Sequence, residues 1–252
     1  MRFVIVNGKK AKQYIIIVFA AFFAAALAFF GQEQLAVFST KDGPRAIYRG
    51  EETGQRIALT FDISWGDHRA LPILDTLKKE GIKNCTFFVS AAWAERHPEI
   101  VERIVKDGHE LESLGYQFKD YTGFEDQQIR RDILTAQEKI KKVSGKTTSL
   151  LRPPNGSFDQ RVLNVSEKLK HSIVHWSVDT KDWRNPGVNQ IVKNATKKVK
   201  SGDILLLHAS DSAKQTEQAL PEIIGKLKSN GYSFVSVEEM IANTKAHSEE
   251  VR

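Results

Sequence analysis

Three side chains that can move or orient protons each close a short apolar run of the sequence: Asp62, Arg152 and His208. A carboxylate can take a proton from water, whereas an imidazolium can give one to a leaving amine. A guanidinium beside the carboxylate keeps it ionised and oriented. Each residue alone also has a structural explanation, Asp62 as a helix cap and His208 as a core histidine. Together they predict acid–base hydrolysis at one site.

A second carboxylate follows a fourth apolar run. Asp182 and Trp183 lie in a loop that ends at Asn185-Pro186-Gly187. A carboxylate placed there is a candidate to hold Arg152, which would in turn hold Asp62. We therefore add Asp182 to the predicted catalytic set.

From residue 56 onwards, β-branched or aromatic runs alternate with amphipathic segments. Strands are predicted at residues 57–62, 85–90, 109–113, 149–152, 173–178, 204–208 and 234–237. Helices are predicted at residues 69–80, 98–106, 125–143 and 188–200, each stopped by a nearby glycine. This alternation indicates an α/β fold with a mainly parallel sheet, closed or nearly closed. Reactive groups of such barrels lie at the carboxyl ends of the strands, which places the catalytic set on one rim.

The amino-terminal part has a different composition. Residues 14–30 form an uncharged apolar run, and the basic residues 1–13 before it contain no acid. The run lies at the short end of what spans a bilayer core of about 30 Å, and its basic flank predicts a cytoplasmic amino terminus. We expect a transmembrane anchor at 14–30, a stalk at 31–55, a barrel at 56–243 and a polar tail at 244–252, with everything after the anchor outside the cytoplasm. A cleaved signal peptide, which gives a secreted protein, is the alternative, because Ala26-Leu27-Ala28 resembles a cleavage site.

Composition excludes several other classes of protein. The chain has 252 residues, of which 41% are hydrophobic and 27% charged, values ordinary for one globular domain. Its net charge of +6 comes mostly from the amino terminus. No basic stripe is interleaved with aromatic residues, so nucleic-acid binding is not expected.

Five segments in a fixed order resemble the polysaccharide deacetylase family, also called the NodB-homology domain. They are Thr60-Phe61-Asp62, Gly108-His109-Glu110-Leu111-Glu112-Ser113, Arg152-Pro153-Pro154-Asn155-Gly156, Asp179-Thr180-Lys181-Asp182-Trp183 and Leu206-Leu207-His208. The first and last segments look most like the sporulation-associated branch of spore-forming bacteria. The resemblance implies a deformed (β/α) barrel of about seven parallel strands that removes N-acetyl groups from glycans such as peptidoglycan or spore cortex.

The resemblance also implies a role for each site residue. Asp62 matches the general base, His208 the general acid, Arg152 the residue that orients the base, and Asp182 the partner of that arginine or of the acid. Four further residues are expected to contact substrate: Trp65, Tyr116, Asn155 and Trp183.

The family's three metal ligands are missing from this sequence. The matching positions are Ile63, Leu114 and Phe118. Zinc binds N, S or O donors, which these side chains lack, so no metal cofactor is expected. A weak or relocated zinc site is the alternative, and its nearby donors would be His109, Glu110, Glu112, Asp67 and His68.

Two functions remain open at this point. The first is a hydrolase of N-acetylated cell-wall or cortex glycan with an impaired metal site. The second is a glycan-binding pseudoenzyme that uses its aromatic side chains as stacking surfaces. In both, the partners are a glycan and, through the amino-terminal segment, a membrane.

Overall fold

The structure is a computed structural model that describes residues 39–40, 43–51 and 54–242. The basic segment 1–13, the apolar segment 14–30 and the tail 244–252 lie outside the described residues. Within the described part of the chain, no helix combines the length and the apolar character needed to cross a membrane.

Ten strands are present in the described residues. In chain order they are β1 Ser39–Thr40, β2 Gly43–Pro44, β3 Arg56–Ile63, β4 Thr86–Val89, β5 Glu110–Ser113, β6 Leu150–Leu151, β7 Ser172–Ile173, β8 Val178–Asp179, β9 Ile204–His208 and β10 Ser233–Phe234. The first two form a small antiparallel pair. The others form one sheet with the order β7-β6-β5-β4-β3-β9-β8, and β10 joins the start of β3. Every pairing in this sheet is parallel.

Helices follow the strands, as the alternating pattern predicts. They span Ala70–Lys79, Ala91–Ala94, Pro98–Lys106, Asp126–Ser144, Gln160–Lys168, Val188–Thr196 and Thr216–Ser229. The helix predicted at 188–200 ends earlier, at Thr196. The chain turns there toward β9, and the Lys200 N–H donates to Asp203 Oδ2 at 2.7 Å instead of continuing the helix.

One predicted strand is wrong. Residues 173–178 form two short strands, β7 and β8, at opposite edges of the sheet order. Between these two strands, the backbone forms hydrogen bonds with residues that belong to neither strand. The His175 N–H donates to the Ile47 carbonyl at 2.8 Å, and the His175 carbonyl accepts a hydrogen bond from Arg152 Nη2 at 3.0 Å. The chain thus crosses the open side of a curled half-barrel instead of continuing along one strand.

The segment before β3 also differs from the prediction. Ile47 is only 5% exposed and packs in the inner apolar cluster, although the sequence assigned residues 31–55 to a stalk. Arg49 forms an ion pair of 2.8 Å with the buried Asp203. Residues 47–49 therefore belong to the domain, and the predicted stalk extends too far along the chain.

The central strand β3 has two buried faces. Leu59, Phe61 and Ile63 pack in the large cluster that the helices cover, whereas Ala58 packs in the smaller inner cluster. Side chains alternate between faces along a strand, so Asp62 lies on the same inner face as Ala58. Register and burial thereby place a carboxylate inside the curl of the sheet, at the carboxyl end of its central strand.

Candidate active site

Asp62 and Arg152 form a buried ion pair. Arg152 is fully buried, and its Nη1 donates to Asp62 Oδ1 at 2.6 Å and to Thr60 Oγ1 at 2.9 Å. Its guanidinium carbon lies 4.2 Å from the centre of the Phe88 ring. Burial lowers the pKa of Arg152, and the neighbouring Asp62 charge opposes that change. The arginine is therefore fixed in position and holds the carboxylate in one orientation.

His208 pairs with Asp182, which is fully buried. Asp182 Oδ1 lies 2.8 Å from His208 Nδ1, and its Oδ2 accepts from the His208 N–H at 2.7 Å. Burial lowers the pKa of His208, but the hydrogen bond and charge of Asp182, with the charge of Asp62, outweigh it, so the pKa lies above its ordinary value. The sequence left two possible partners for Asp182, which are Arg152 and the general acid His208. In the structure it contacts His208, and the prediction that it holds Arg152 is wrong.

The two pairs meet at one cavity. Asp62 and His208 are register partners on the adjacent parallel strands β3 and β9, so their side chains lie on the same face. Both line a cavity of about 410 Å³. Asp62 and His208 therefore face one cavity, and the buried Arg152 and Asp182 each contact one of them from behind the cavity wall.

Three of the four predicted substrate contacts also line this cavity. Trp65 and Trp183 are 52% and 44% exposed at its rim, and Asn155 lies in its wall. Tyr116 does not line the cavity. Gly115, with φ of +80°, turns the chain after β5, so that Tyr116 packs half-buried against the main apolar cluster. The structure therefore does not bring Tyr116 to the cavity with the other three, and its contact with substrate stays a prediction.

The residues at the family's metal positions do not fit a metal ion. Ile63 and Leu114 are fully buried in apolar clusters, Ile63 on the face of β3 opposite to Asp62. Phe118 lines the cavity and has a φ of +53°, a backbone conformation that bulky side chains rarely adopt. None of the three carries a donor atom.

The alternative donors are divided between two places. Asp67 and His68 lie with Asp211 near the cavity, and one ligand atom from each falls within 4.8 Å of the others. Asp211 Oδ1 already accepts the N–H groups of His68 and Arg69.

His109, Glu110 and Glu112 lie elsewhere, around a cavity at the amino end of β5. Burial lowers the pKa of His109 to about 4. None of these three residues lines the cavity that contains Asp62, so the structure does not bring them together at the family's metal positions.

The comparison with known families agrees with the motif pattern. The polysaccharide deacetylase family model matches residues 49–174. This chain belongs to the polysaccharide deacetylase family. A peptidoglycan-N-acetylglucosamine deacetylase of Bacillus cereus is 34% identical over 188 residues, which cover 73% of this chain and 87% of that enzyme.

Two further relatives of this polysaccharide deacetylase family member are informative. The uncharacterised protein YlxY of Bacillus subtilis is 27% identical over 202 residues, which cover 80% of this chain and only 62% of YlxY. A CE4 family pseudoenzyme from Bacillus anthracis has a TM-score of 0.74 at 27% identity, covering 79% of this chain and 69% of that one. A mutant of that pseudoenzyme is described as having restored enzymatic activity.

Two residues that contribute to this polysaccharide deacetylase site were not predicted from the sequence. Thr216 Oγ1 donates to Asp182 Oδ2 at 2.7 Å, and Trp176 forms part of the cavity wall. Thr216 is the first residue of the helix Thr216–Ser229, and the sequence analysis assigned no element there. Trp176 lies within the misassigned strand, so no local signal identified either residue.

Proposed function

We propose that this protein is a deacetylase-type hydrolase of N-acetylated cell-wall glycan. The observation that carries the proposal is the meeting of two acid–base pairs, Asp62–Arg152 and His208–Asp182, at one cavity with exposed tryptophans on its rim. The peptidoglycan deacetylase from Bacillus cereus supports the choice of glycan. The sporulation setting, inferred from the first and last motifs, stays part of this proposal.

The proposed reaction is hydrolysis of the N-acetyl amide. Asp62 takes a proton from water, and the oxygen of that water bonds to the carbonyl carbon. His208, protonated beside Asp182, gives its proton to the amide nitrogen as the C–N bond breaks. Acetate and a free amino sugar leave. Burial of Arg152 and Asp182 keeps both proton-transfer groups oriented without any rearrangement during the reaction.

Because Ile63, Leu114 and Phe118 carry no metal-binding atom, the expected rate of amide hydrolysis is low. A metal ion in such a site would lower the pKa of water and polarise the carbonyl. Without those contributions, we expect hydrolysis well below that of a metal-containing deacetylase.

The proposal is tested by acetate release from N-acetylated oligosaccharides and from peptidoglycan, with metal analysis of the same preparation. We expect slow release by the wild type and none above background from Asp62→Asn. Equal rates from the two proteins would refute the proposal, because Asp62 would then have no part in the reaction.

A second function is favoured by the apolar metal positions and by the pseudoenzyme relative. In it, the cavity binds glycan without hydrolysis, through stacking on Trp65 and Trp183. Isothermal titration with chitin-type oligosaccharides separates the two functions. Binding that Trp65→Ala and Trp183→Ala weaken, together with no acetate release, would establish the glycan-binding function.

We further propose that residues 14–30 anchor the protein and that the domain lies outside the cytoplasm. The basic residues before the apolar run support this orientation. Protease added to intact protoplasts is expected to digest the domain. Complete protection would refute the placement, and a mature amino terminus at Phe29 would show cleavage instead of anchoring.

A further inference from the structure

The loop that carries Asp182 is joined to the loop after His208 by one amide side chain outside the cavity. Asn185 Nδ2 donates to the Ser212 carbonyl at 2.9 Å, and Asn185 Oδ1 accepts from the Lys214 N–H at 2.8 Å. A single side chain thus forms hydrogen bonds with one backbone carbonyl and one backbone N–H of the neighbouring loop.

The backbone of Asn185 has an unusual conformation, with φ of +51° and ψ of +52°. Asparagine tolerates this left-handed region better than most residues. The Asn185 N–H donates to the Asp182 carbonyl at 2.9 Å and closes a tight turn over Asp182–Arg184. The amide that contacts the second loop is therefore tied directly to the residue that pairs with His208.

A displacement of the Asp182 loop would change the acid pair. Asp182 Oδ2 receives hydrogen bonds from the His208 N–H and from Thr216 Oγ1, both at 2.7 Å and both from the chain that contains Ser212 and Lys214. These contacts can form only when the two loops are held at a fixed distance from each other. The Gly187 N–H adds a parallel bond of 2.8 Å to Gln215 Oε1.

We propose that Asn185 is a positioning residue that clasps the two loops and keeps Asp182 in contact with His208. This inference rests on the proposed function, since it concerns the same acid pair. It is nevertheless measurable without catalysis, because His208 itself reports the contact. Its pKa is raised by Asp182, so loss of the contact must lower it.

The experiment compares Asn185→Gly and Asn185→Ala in the otherwise intact chain. Both variants remove the amide, but glycine accepts a positive φ whereas alanine adds strain. NMR titration of the His208 imidazole, assigned with His208→Ala, is expected to show a lower pKa in both variants. If the wild type releases acetate, kcat should fall by about 10- to 100-fold with little change in KM.

The outcomes separate the hypotheses. An unchanged His208 pKa in Asn185→Gly would overturn the positioning role, and a lowered pKa in Asn185→Ala alone would assign the effect to strain. Asn164→Ala, which removes an exposed amide on the helix Gln160–Lys168, is the matched control and should leave His208 unchanged. A wild type that releases no acetate refutes the hydrolase proposal but leaves this titration valid.

Discussion

The two aspartates of the predicted catalytic set, Asp62 and Asp182, are suited to different tasks because they have different neighbours. Asp62 contacts a buried guanidinium and retains access to the cavity, so it remains available to water. Asp182 is fully buried and receives hydrogen bonds from both the backbone and the ring of His208. One carboxylate is therefore suited to accept a proton, and the other to keep an imidazole charged.

The first prediction concerns the pH dependence of hydrolysis. His208 must be protonated to act as the acid, so the rate should fall as pH rises through its pKa. Because Asp182 raises that pKa, activity should persist above the pH at which an ordinary histidine loses its proton. Asp182→Asn should move the alkaline limb to lower pH, and His208→Ala should lower kcat by about 100-fold or more. An alkaline limb that stays in place in Asp182→Asn would contradict the assignment of His208 as acid.

The second prediction restores the metal donors with Ile63→Asp, Leu114→His and Phe118→His. We expect the triple variant to retain zinc through dialysis and to gain deacetylase activity, because the new side chains supply donor atoms that zinc binds. It should also unfold at lower temperature, because Ile63 and Leu114 are fully buried and polar groups there lose solvation. Zinc analysis and thermal unfolding test both effects. Stoichiometric zinc in the dialysed wild type would contradict the argument.

Among the structural elements, the loop after β3 is held in place by close contacts at Gly66. Gly66 has a φ of +78°, and a Cβ on it would lie 2.2 Å from Asp211 Cγ. The Gly66 carbonyl accepts a hydrogen bond from Trp93 Nε1 at 2.6 Å. These contacts fix the loop that presents the exposed Trp65 at the cavity rim.

The third prediction follows from that loop. Gly66→Ala should destabilise the protein by about 1–3 kcal/mol, because alanine is strained at this φ and displaces Asp211. It should also weaken glycan binding through Trp65. Gly225→Ala is the matched control, since its Cβ would meet nothing within 4 Å and it lies inside the helix Thr216–Ser229. The control should stabilise by about 0.5–1 kcal/mol. Equal denaturation midpoints for the two variants would contradict the role of Gly66.

The sequence predicted the elements best where periodicity was strong and local. The helix Pro98–Lys106 and the strand Ile204–His208 have the bounds that the pattern predicts. The break within residues 173–178 was not predictable, because the backbone of His175 bonds to Ile47 and Arg152, both far away in the chain. Strand ends predicted Asp62, Arg152 and His208, because each of these residues ends an apolar run in the sequence. Thr216 was not predicted, because its contact with Asp182 depends on tertiary packing.

At the scale of the whole molecule, the two ends of the barrel carry different kinds of carboxylate. At the carboxyl end, Asp62 lines the cavity and the buried Asp182 contacts His208, which also lines it. At the amino end, Glu112 is buried and accepts the N–H groups of Ser149 and Leu150 at the start of β6. Glu110 accepts hydrogen bonds from Thr86 Oγ1 and from the N–H groups of Val237 and Glu238. These two side chains hold residues 237–238 and the start of β6 against the sheet.

The fourth prediction is that this amino end makes the fold less stable at alkaline pH. Burial is the main cause that raises the pKa of Glu110 from 4.5 to about 7, and the nearby charge of Glu238 adds to it. The folded state therefore binds a proton that the unfolded state releases, and stability is lost as pH rises from about 4.5 through 7. Urea unfolding at pH about 5 and about 8 should show the loss, which Glu110→Gln should reduce by up to about 3 kcal/mol. Glu138→Gln, on the exposed face of the helix Asp126–Ser144, should behave as the wild type. If Glu110→Gln loses as much stability as the wild type over this range, the dependence arises from another group.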